Sequence, residues 1–406
     1  MELKYFCAPK LAELLPNVKP GLFKDLGELQ PLSVRTPYPG LAYDFNCGLR
    51  LQIPKGNYHV KILDADSELV CFDDDASDTV LISLEKFFVR WRFLVERDGQ
   101  LIFHYTFNPT GRNVHVHFVQ PFLGDSVVFF YYMEQFRKNW QCNLSCTTAP
   151  YLQELLRLYF PEIKCELPAD PYATYLPTQW FNTMLLPKDF RRVPIEKAGQ
   201  QLFGINRADR IIYTPTKPRQ IEEPYVCIAA QSAKTIKAWL NPDGWKAVVD
   251  YLKFLGYRVL CIDRDRVQSA FGYTVQMPDG AEDFTGDIPL SERINLLAYA
   301  DFFIGASSGL SWLAWAANCP VILVSGITEP YCEFATPYRV VNRLVCYGCY
   351  NDVDIPWEGV YFCPRFKGTD RAFECSKKIS AHQIIQMIDR VRADKRAGSF
   401  RYHDFL

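Results

Sequence analysis

The sequence predicts an α/β protein with two parallel-sheet domains in tandem, an added N-terminal β-rich domain and a four-cysteine insert. Three observations support this prediction. Strand-like alternation dominates up to about residue 112, short apolar strands then alternate with helices, and four of the 14 cysteines cluster late in the chain. Continuously apolar strands that alternate with helices are typical of parallel sheets covered on both faces.

Composition excludes several classes of protein. The chain has 406 residues, of which 49% are hydrophobic and 22% are charged, which suits two or three globular domains. The formal net charge of -1 leaves no overall field that would attract nucleic acid or an anionic membrane. No segment has the ~18 apolar residues of a membrane span, and the start lacks a signal-peptide pattern. We therefore expect no nucleic-acid partner, no membrane span and a cytoplasmic location.

Residues 1–112 are predicted to form the N-terminal β-rich domain. Segments such as LRLQIPKGNYHVKILD and TVLISL carry strand-like alternation and are separated by Gly, Pro or Asp. Asp98-Gly99 lies between two apolar runs and predicts a hairpin. A small antiparallel barrel or sandwich is expected here.

Residues 113–215 are predicted to form a first Rossmann-type domain. NVHVHFVQPFLGDSVVFFYYMEQFRKNW has the pattern of a strand, a glycine turn and a helix. Residues 205–222 are rich in proline and charge, which predicts a linker.

Residues 216–406 are predicted to form a second Rossmann-type domain, which includes the insert at 340–378. Its strands are YVCIAA, YRVLCID, DFFIGA and PVILVSG, and its helices lie between them. Asn241, followed by Pro242, and Ser291 are the predicted N-caps of two of these helices. Two such domains imply a cleft, with ligands at the carboxyl ends of the strands.

Leu123-Gly124-Asp125 marks the first strand-to-helix turn. A carboxylate near a helix N-terminus is held ionised by the helix dipole and the free amides, and it can then accept a proton from a hydroxyl. The alternative is that Asp125 only caps the helix.

Three turns of the second domain suit a nucleotide diphosphate or its sugar. Ser232, Lys234 and Lys237 follow the strand YVCIAA and offer a hydroxyl and two cations, although a solvated loop is the alternative. Ser307, Ser308 and Gly309 join a strand to a helix whose N-terminal amides favour phosphate, although this is also the pattern of a capped turn. Thr328 and Glu329 end the next strand, where a bare turn is equally consistent with the sequence.

The late cysteines have the spacing of a metal site. Cys346 and Cys349 form a Cys-x2-Cys knuckle, and Cys363 and Cys375 follow. Four thiolates can enclose a tetrahedral metal with no open coordination position, so we expect a structural metal. Sulfur ligation alone allows zinc or iron, and unrelated free thiols are the alternative.

These turns together resemble the lipopolysaccharide heptosyltransferase family over roughly residues 113–335 and the last helix. The family has Leu-Gly-Asp after its first strand, then Asp-(Ser/Thr)-Gly-x-x-His, and later Gly-Pro-Thr-Asp-Pro. This chain has Leu123-Gly124-Asp125, then 307–312 as SSGLSW, and later 326–330 as GITEP. Ser307 replaces the family aspartate that touches the donor, and Trp312 replaces the histidine. The resemblance implies a GT-B-like pair of domains, with Trp312 among the donor-binding positions.

With the β-rich domain and the cysteine insert added, the whole chain resembles the bacterial autotransporter heptosyltransferases. This resemblance implies ADP-heptose as donor and serine hydroxyls of an autotransporter passenger protein as acceptors. It also implies iron in the four-cysteine site, with zinc as the alternative, and a large ring-like homo-oligomer, a dodecamer.

The sequence thus predicts a single inverting displacement at the anomeric carbon. Asp125 would accept the proton of the acceptor serine, and Lys234 or Lys237 and the amides at Ser308 and Gly309 would stabilise the departing ADP. Two alternatives remain open at this point. One is a heptosyltransferase that acts on a lipid-linked saccharide, and the other is a non-enzymatic, metal-bearing scaffold that binds nucleotide.

Overall fold

The fold was obtained as a computed structural model of the chain. The residues that it describes are 2–9, 31–119, 121–177, 189–233, 235–270, 273–355, 362–400 and 402.

The described residues before position 112 form mainly strands, as predicted. Their bounds are β1 (Glu2–Phe6), β2 (Val34–Arg35), β3 (Ala42–Asn46), β4 (Arg50–Ile53), β5 (Tyr58–Asp64), β6 (Val70–Ala76), β7 (Thr79–Ser83), β8 (Trp91–Arg97) and β9 (Gln100–Thr106). Strands β6-β5-β8-β9 form a small antiparallel sheet. The β8–β9 hairpin turns at Asp98 and Gly99, which have φ values of 50° and 80°. Positive φ at both turn residues is what the Asp-Gly pair permits.

The next segment alternates strands with helices. Its elements are β10 (Asn113–His117), α1 (Leu123–Trp140), β11 (Asn143–Thr147), α2 (Pro150–Tyr159), β12 (Ala173–Tyr175) and α3 (Ile195–Phe203). Strands β3, β12, β10 and β11 lie side by side and run parallel. We call the sheet that contains them the first sheet.

The first sheet continues into the N-terminal strands. Its order is β1-β7-β4-β3-β12-β10-β11, with β2 also paired to β3. The junction is the parallel pairing of Phe45 with Ala173 and of Asn46 with Thr174. Residues on both sides of position 112 therefore share one sheet. Part of the β-rich region forms the small antiparallel sheet, and the other part widens the Rossmann-type unit.

The remainder of the chain forms the second sheet, which is parallel throughout, with order β17-β14-β13-β18-β19-β20. The strands are β13 (Tyr225–Ala229), β14 (Arg258–Cys261), β15 (Val267–Ala270), β16 (Tyr273–Gln276), β17 (Glu282–Asp283), β18 (Phe303–Ala306), β19 (Val321–Val324) and β20 (Arg339–Val340). The helices are α4 (Gly244–Phe254), α5 (Leu290–Tyr299), α6 (Gly309–Ala316), α7 (Glu374–Lys377) and α8 (Ala381–Arg396). Strands β15 and β16 pair with each other as a separate hairpin.

Two helix starts differ from the prediction. Helix α4 has Asp243 at its N-cap position, because the Asn241 amide instead donates hydrogen bonds to Lys377 O and Ile379 O, at 3.0 and 3.1 Å. Helix α5 has Pro289 at its N-cap position, and Ser291 lies inside the helix with its hydroxyl hydrogen-bonded to Glu154. In both cases a tertiary contact uses the polar side chain that would otherwise have capped its own helix.

One buried core joins the two sheets. Tyr213, within the predicted linker, is fully buried, and its ring stacks on Tyr159 with a centroid distance of 4.2 Å. Its amide donates to Ala316 O of α6, and Tyr131 of α1 packs against Trp315 of the same helix. The predicted linker is therefore packed between the two units. Within the described part of the chain, no helix has the length and apolar character that a bilayer crossing requires.

Candidate functional site

Helices α1 and α6 bring the two predicted site turns together. A methyl group added at Gly124 would lie 2.6 Å from Cδ1 of Trp312, and one added at Gly309 would lie 2.8 Å from Cβ of Leu123. Real Cβ atoms essentially never approach other atoms so closely. The first turns of the two helices therefore contact each other at two glycines, which no larger residue could replace without a shift. This contact juxtaposes the Leu-Gly-Asp turn and the Ser-Ser-Gly turn.

Asp125 is the third residue of α1, after Phe122 at the N-cap position, so it is not the helix cap. Its side chain is half-buried. Burial raises the pKa of Asp125 to about 6, and the positive charge of Lys237 acts to lower it. A carboxylate with a pKa near neutrality is suited to proton transfer, because it is both largely ionised at pH 7 and basic enough to accept a proton.

The loop after β13 carries the predicted basic group. The buried carboxylate of Asp263 fixes the start of this loop by accepting hydrogen bonds from the amides of Ala230 at 2.8 Å and Gln231 at 3.2 Å. Ser232 follows and is buried. Lys237 lies in the short helix Thr235–Lys237 and is half-buried, and its charge acts on Asp125, whereas Lys234 lies outside the described residues.

Ser307 and Ser308 lead from β18 into α6. Ser308 occupies the N-cap position without a side-chain capping bond, so the first turn of α6 begins at Gly309. Ser307 is buried and donates its hydroxyl hydrogen to the carboxylate of Glu333. Glu333 in turn pairs with Arg339 at 2.9 Å. A strand that leads directly into a helix N-terminus is the arrangement that favours phosphate groups.

Trp312, the other predicted donor residue on α6, is only 7% exposed. Its ring packs edge-on against Trp315 and Phe334, with centroid distances of 5.6 and 5.0 Å, and its pyrrole edge faces Gly124. Trp312 is therefore held between the aromatic core and helix α1.

Thr328 and Glu329 lie in a loop that rests on the cysteine insert. The Thr328 hydroxyl is buried and hydrogen-bonded to that of Ser325 at 2.5 Å. The amide of Glu329 donates to the Asn351 side chain at 2.8 Å. A methyl group on Gly348 would lie 2.7 Å from Oε1 of Glu329. The loop and the insert are thus in direct contact.

The four predicted metal ligands line one small cavity. Cys346, Cys349, Cys363 and Cys375 share it with apolar side chains that include Ile327 and Phe373. Among the described residues, however, no three or more His, Cys, Asp or Glu side chains are grouped so as to hold a metal ion. The structure therefore brings the thiols together but does not show the predicted metal site.

The chemistry of this donor set nevertheless suits a soft cation. Burial raises the pKa of Cys349 to about 11 and that of Cys375 to about 12, and repulsion from the neighbouring thiols acts in the same direction. Four thiols confined in this way can ionise together only if a cation compensates their charge, and thiolates are the ligands that zinc and iron–sulfur chemistry prefer.

Two residues near the site were not predicted from the sequence. Glu333 lies on the loop before β20 and accepts a hydrogen bond from Ser307, which is 26 positions earlier. Tyr350 lies within the insert, and its amide donates to Ile327 O at 2.9 Å. Burial raises the pKa of its phenol, and the charges of Cys332, Asp125 and Glu333 act in the same direction. Neither residue belongs to a recognisable motif, because each is defined by contacts between distant segments.

Comparison with known proteins identifies two matching family models. Residues 37–99 match "Glycosyltransferase TibC, N-terminal domain", and residues 186–355 match "Glycosyltransferase family 9 (heptosyltransferase)". An autotransporter heptosyltransferase of Citrobacter rodentium, BAHTCr, is 43% identical over 365 residues, which cover 87% of this chain and 89% of the relative.

The solved structures agree. The bacterial iron-containing dodecameric glycosyltransferase TibC of enterotoxigenic Escherichia coli H10407 is 39% identical, with a TM-score of 0.85, over 90% of this chain and 99% of that chain. Its complex with ADP-D-beta-D-heptose matches with a TM-score of 0.83 and covers 90% of this chain and 98% of that chain.

A further relative by sequence is BimC of Burkholderia thailandensis, described as an inactive autotransporter heptosyltransferase. It is 33% identical, and the match covers 86% of this chain and 85% of the relative.

Proposed function

The chain belongs to the autotransporter heptosyltransferases, and we propose that it transfers heptose from ADP-heptose to serine hydroxyls of an autotransporter passenger protein. The supporting observation is the juxtaposition of Asp125, on the first turn of α1, with the first turn of α6 through the Gly124–Trp312 contact. This arrangement supports a proton acceptor at the start of α1 and a diphosphate site at the start of α6. The ADP-heptose complex of TibC supports the choice of donor.

The proposed mechanism is a single inverting displacement. Asp125 accepts the hydroxyl proton of the acceptor serine as its oxygen forms a bond to the anomeric carbon. The bond from that carbon to the phosphate oxygen breaks, and ADP leaves with the electron pair. Lys234 or Lys237, together with the amides at Ser308 and Gly309, stabilises the charge that develops on the phosphate. None of these steps requires a metal at the reacting carbon.

The remaining donor contacts are assigned to the loops at the carboxyl ends of the second sheet. We assign Ser232 and Ser307 to the nucleotide diphosphate side, and Thr328 and Glu329 to the nucleotide or the sugar. Their positions after β13, β18 and β19 support this assignment, because ligands of parallel sheets bind at the carboxyl ends of strands. Trp312, which the resemblance places among the donor-binding positions, is assigned an indirect role there, because its ring packs against Gly124, Trp315 and Phe334.

Cys346, Cys349, Cys363 and Cys375 are proposed to hold one structural iron per chain, and their convergence on one cavity supports this. Zinc would also suit the four sulfurs, but TibC is described as iron-containing. When bound, the metal supplies a cross-link between segments and no catalytic chemistry, because four protein ligands leave no open position.

We further propose a cytoplasmic homo-oligomer, a dodecamer as described for TibC. The proposed division along the sequence is 1–112, 113–215 and 216–406, with the insert at 340–378, and strands β1–β4 and β7 of the first part extend the sheet of the second.

Asp125→Asn tests the catalytic assignment. The amide keeps the shape of the side chain but cannot accept the proton, so we expect heptose transfer to fall at least 100-fold while ADP binding is retained. Purified protein, ADP-heptose and a passenger protein are incubated, and intact mass reports heptose-sized increments. Asp250→Asn, an exposed acid on α4, is the matched control. Unchanged transfer by Asp125→Asn, or loss of its ADP binding, would contradict the role as base.

A non-enzymatic, nucleotide-binding scaffold is the second candidate, and the inactive relative BimC is the observation that favours it. A scaffold would bind ADP yet release none from ADP-heptose, either with the passenger or with a lipid-linked saccharide. Release of ADP with the saccharide alone would instead assign the lipid-linked acceptor.

A further inference from the structure

The contact between α1 and α6 is built from two reciprocal glycine contacts. Gly124 of α1 faces the pyrrole edge of Trp312, and Gly309 of α6 faces Leu123. Each glycine is adjacent in sequence to a residue proposed to act in the reaction. Gly124 precedes Asp125, and Gly309 follows Ser308. The separation between the base and the phosphate-binding turn is therefore set at these two contacts.

Trp312 has little freedom to move away from Gly124. Its ring is buried and is backed by Trp315 and Phe334 on the other side. Trp315 in turn packs against Tyr131, two turns further along α1. Displacement of the indole would thus require the aromatic core between the sheets to repack, which is costly in a close-packed interior.

We infer that Trp312 is a positioning residue that fixes the distance between Asp125 and the phosphate-binding turn of α6 through its contact with Gly124. This inference rests on the proposed function. Trp312 acts through the helices and not through contact with the donor. Because a shift of about 1 Å in a reacting group can cost about 100-fold in rate, such a spacer affects turnover more than nucleotide binding.

Gly124→Ala is the test, because the added methyl group must push α1 away from Trp312. We expect kcat for heptose transfer to fall at least tenfold while the Kd for ADP, measured by calorimetry, changes less than about threefold. The double variant Gly124→Ala/Trp312→Ala removes the ring that the methyl group meets. It should recover part of the lost kcat relative to Gly124→Ala, which is a coupling between neighbouring sites.

A matched control exists within the second unit. Gly244 begins α4, and a methyl group there would lie 2.4 Å from Cζ2 of the buried Trp239. Gly244→Ala introduces the same kind of clash at the start of a different helix. It should lower the melting temperature to a similar extent but leave kcat unchanged. If Gly124→Ala prevents folding, Trp312→Phe keeps an aromatic ring at the contact and should lower kcat several-fold with ADP binding retained.

The outcomes separate this inference from the proposed function. Wild-type kcat in Gly124→Ala, or a loss no larger than that in Gly244→Ala, would overturn the positioning role while Asp125→Asn still abolishes transfer. Full transfer by Asp125→Asn would overturn the proposed base itself. Weakened ADP binding in parallel with kcat would mean that Trp312 contributes to the donor site directly.

Discussion

At the scale of single residues, the electrostatic balance at Asp125 bears on its proposed role as the base. Burial places the pKa of Asp125 at about 6, above the usual range for an aspartate, and Lys237 opposes this rise. The proposed base can accept a proton only when it is deprotonated. We therefore expect kcat/KM to be maximal well above pH 6 and to fall as the pH drops through about 6, provided that chemistry limits the rate.

Lys237→Met extends this prediction. Loss of the positive charge removes the effect that lowers the pKa of Asp125, so the acidic limb of the kcat/KM profile should move to higher pH. ADP should also bind more weakly, by roughly 1.5–3 kcal/mol if a charge-assisted hydrogen bond is lost. Lys246→Met, which removes an exposed lysine paired with Asp250 on α4, is the control and should change neither quantity. An unmoved acidic limb in Lys237→Met would argue against its proximity to Asp125.

The residues near the site differ in whether the sequence alone could predict their positions and contacts. The position of Asp125 at a helix start could be predicted, because Leu-Gly-Asp is a local motif and follows from the pattern of elements. Glu333 could not be predicted, because its role depends on Ser307 and Arg339 reaching it across the end of the second sheet. The packing of Trp312 against Gly124 depends on the approach of two helices from different sheets, which no local pattern encodes.

At the scale of elements, the cysteine insert and the loop after β19 are in contact at several points. A methyl group at Gly326 would lie 2.7 Å from Cys375 O, and the amide of Gly348 donates to Gly326 O at 3.0 Å. The amide of Tyr350 donates to Ile327 O at 2.9 Å. Disorder in the insert would therefore reach the loop that carries Thr328 and Glu329.

Cys346→Ser tests this connection. We expect the variant to lack the proposed metal, as read by elemental analysis, and to have a lower melting temperature. It should also bind ADP-heptose more weakly, because the loop after β19 loses its support. Cys71→Ser, which changes a half-buried cysteine on the small antiparallel sheet, is the control. Full metal content in Cys346→Ser would exclude this cysteine as a ligand, and normal donor binding without metal would exclude the coupling. Elemental analysis also separates iron from zinc.

The elements themselves were largely predictable, since apolar strands and amphipathic helices have distinct periodicities. The errors arose where tertiary contacts decided the outcome. Asn241 and Ser291 have side chains that commonly cap helices. The Asn241 amide instead donates to Ile379 O, just before α8, and the Ser291 hydroxyl donates to Glu154 of α2. Likewise, the sequence change near residue 112 is real, yet β3 pairs with β12 across it. Pairing between distant strands cannot be read from local alternation.

At the scale of the whole molecule, the contacts between the two sheets favour cooperative unfolding. Tyr213 packs against Tyr131, Tyr159 and Phe160 of the first unit, and its amide bonds to α6 of the second. Glu154 of α2 accepts hydrogen bonds from the start of α5 as well. A core shared in this way means that neither sheet keeps its buried surface covered when the other unfolds.

We therefore expect denaturant unfolding followed by far-UV circular dichroism and by tryptophan fluorescence to give coincident transitions. Tyr213→Ala should remove about 3–5 kcal/mol, the usual cost of truncating a large buried aromatic residue, and should separate the two transitions. Tyr213→Phe keeps the ring packing and should preserve coincidence. If the wild-type chain already unfolds in two steps, the sheets are energetically independent. The fixed separation between Asp125 and α6 would then depend on the local glycine contacts alone, without support from the shared core.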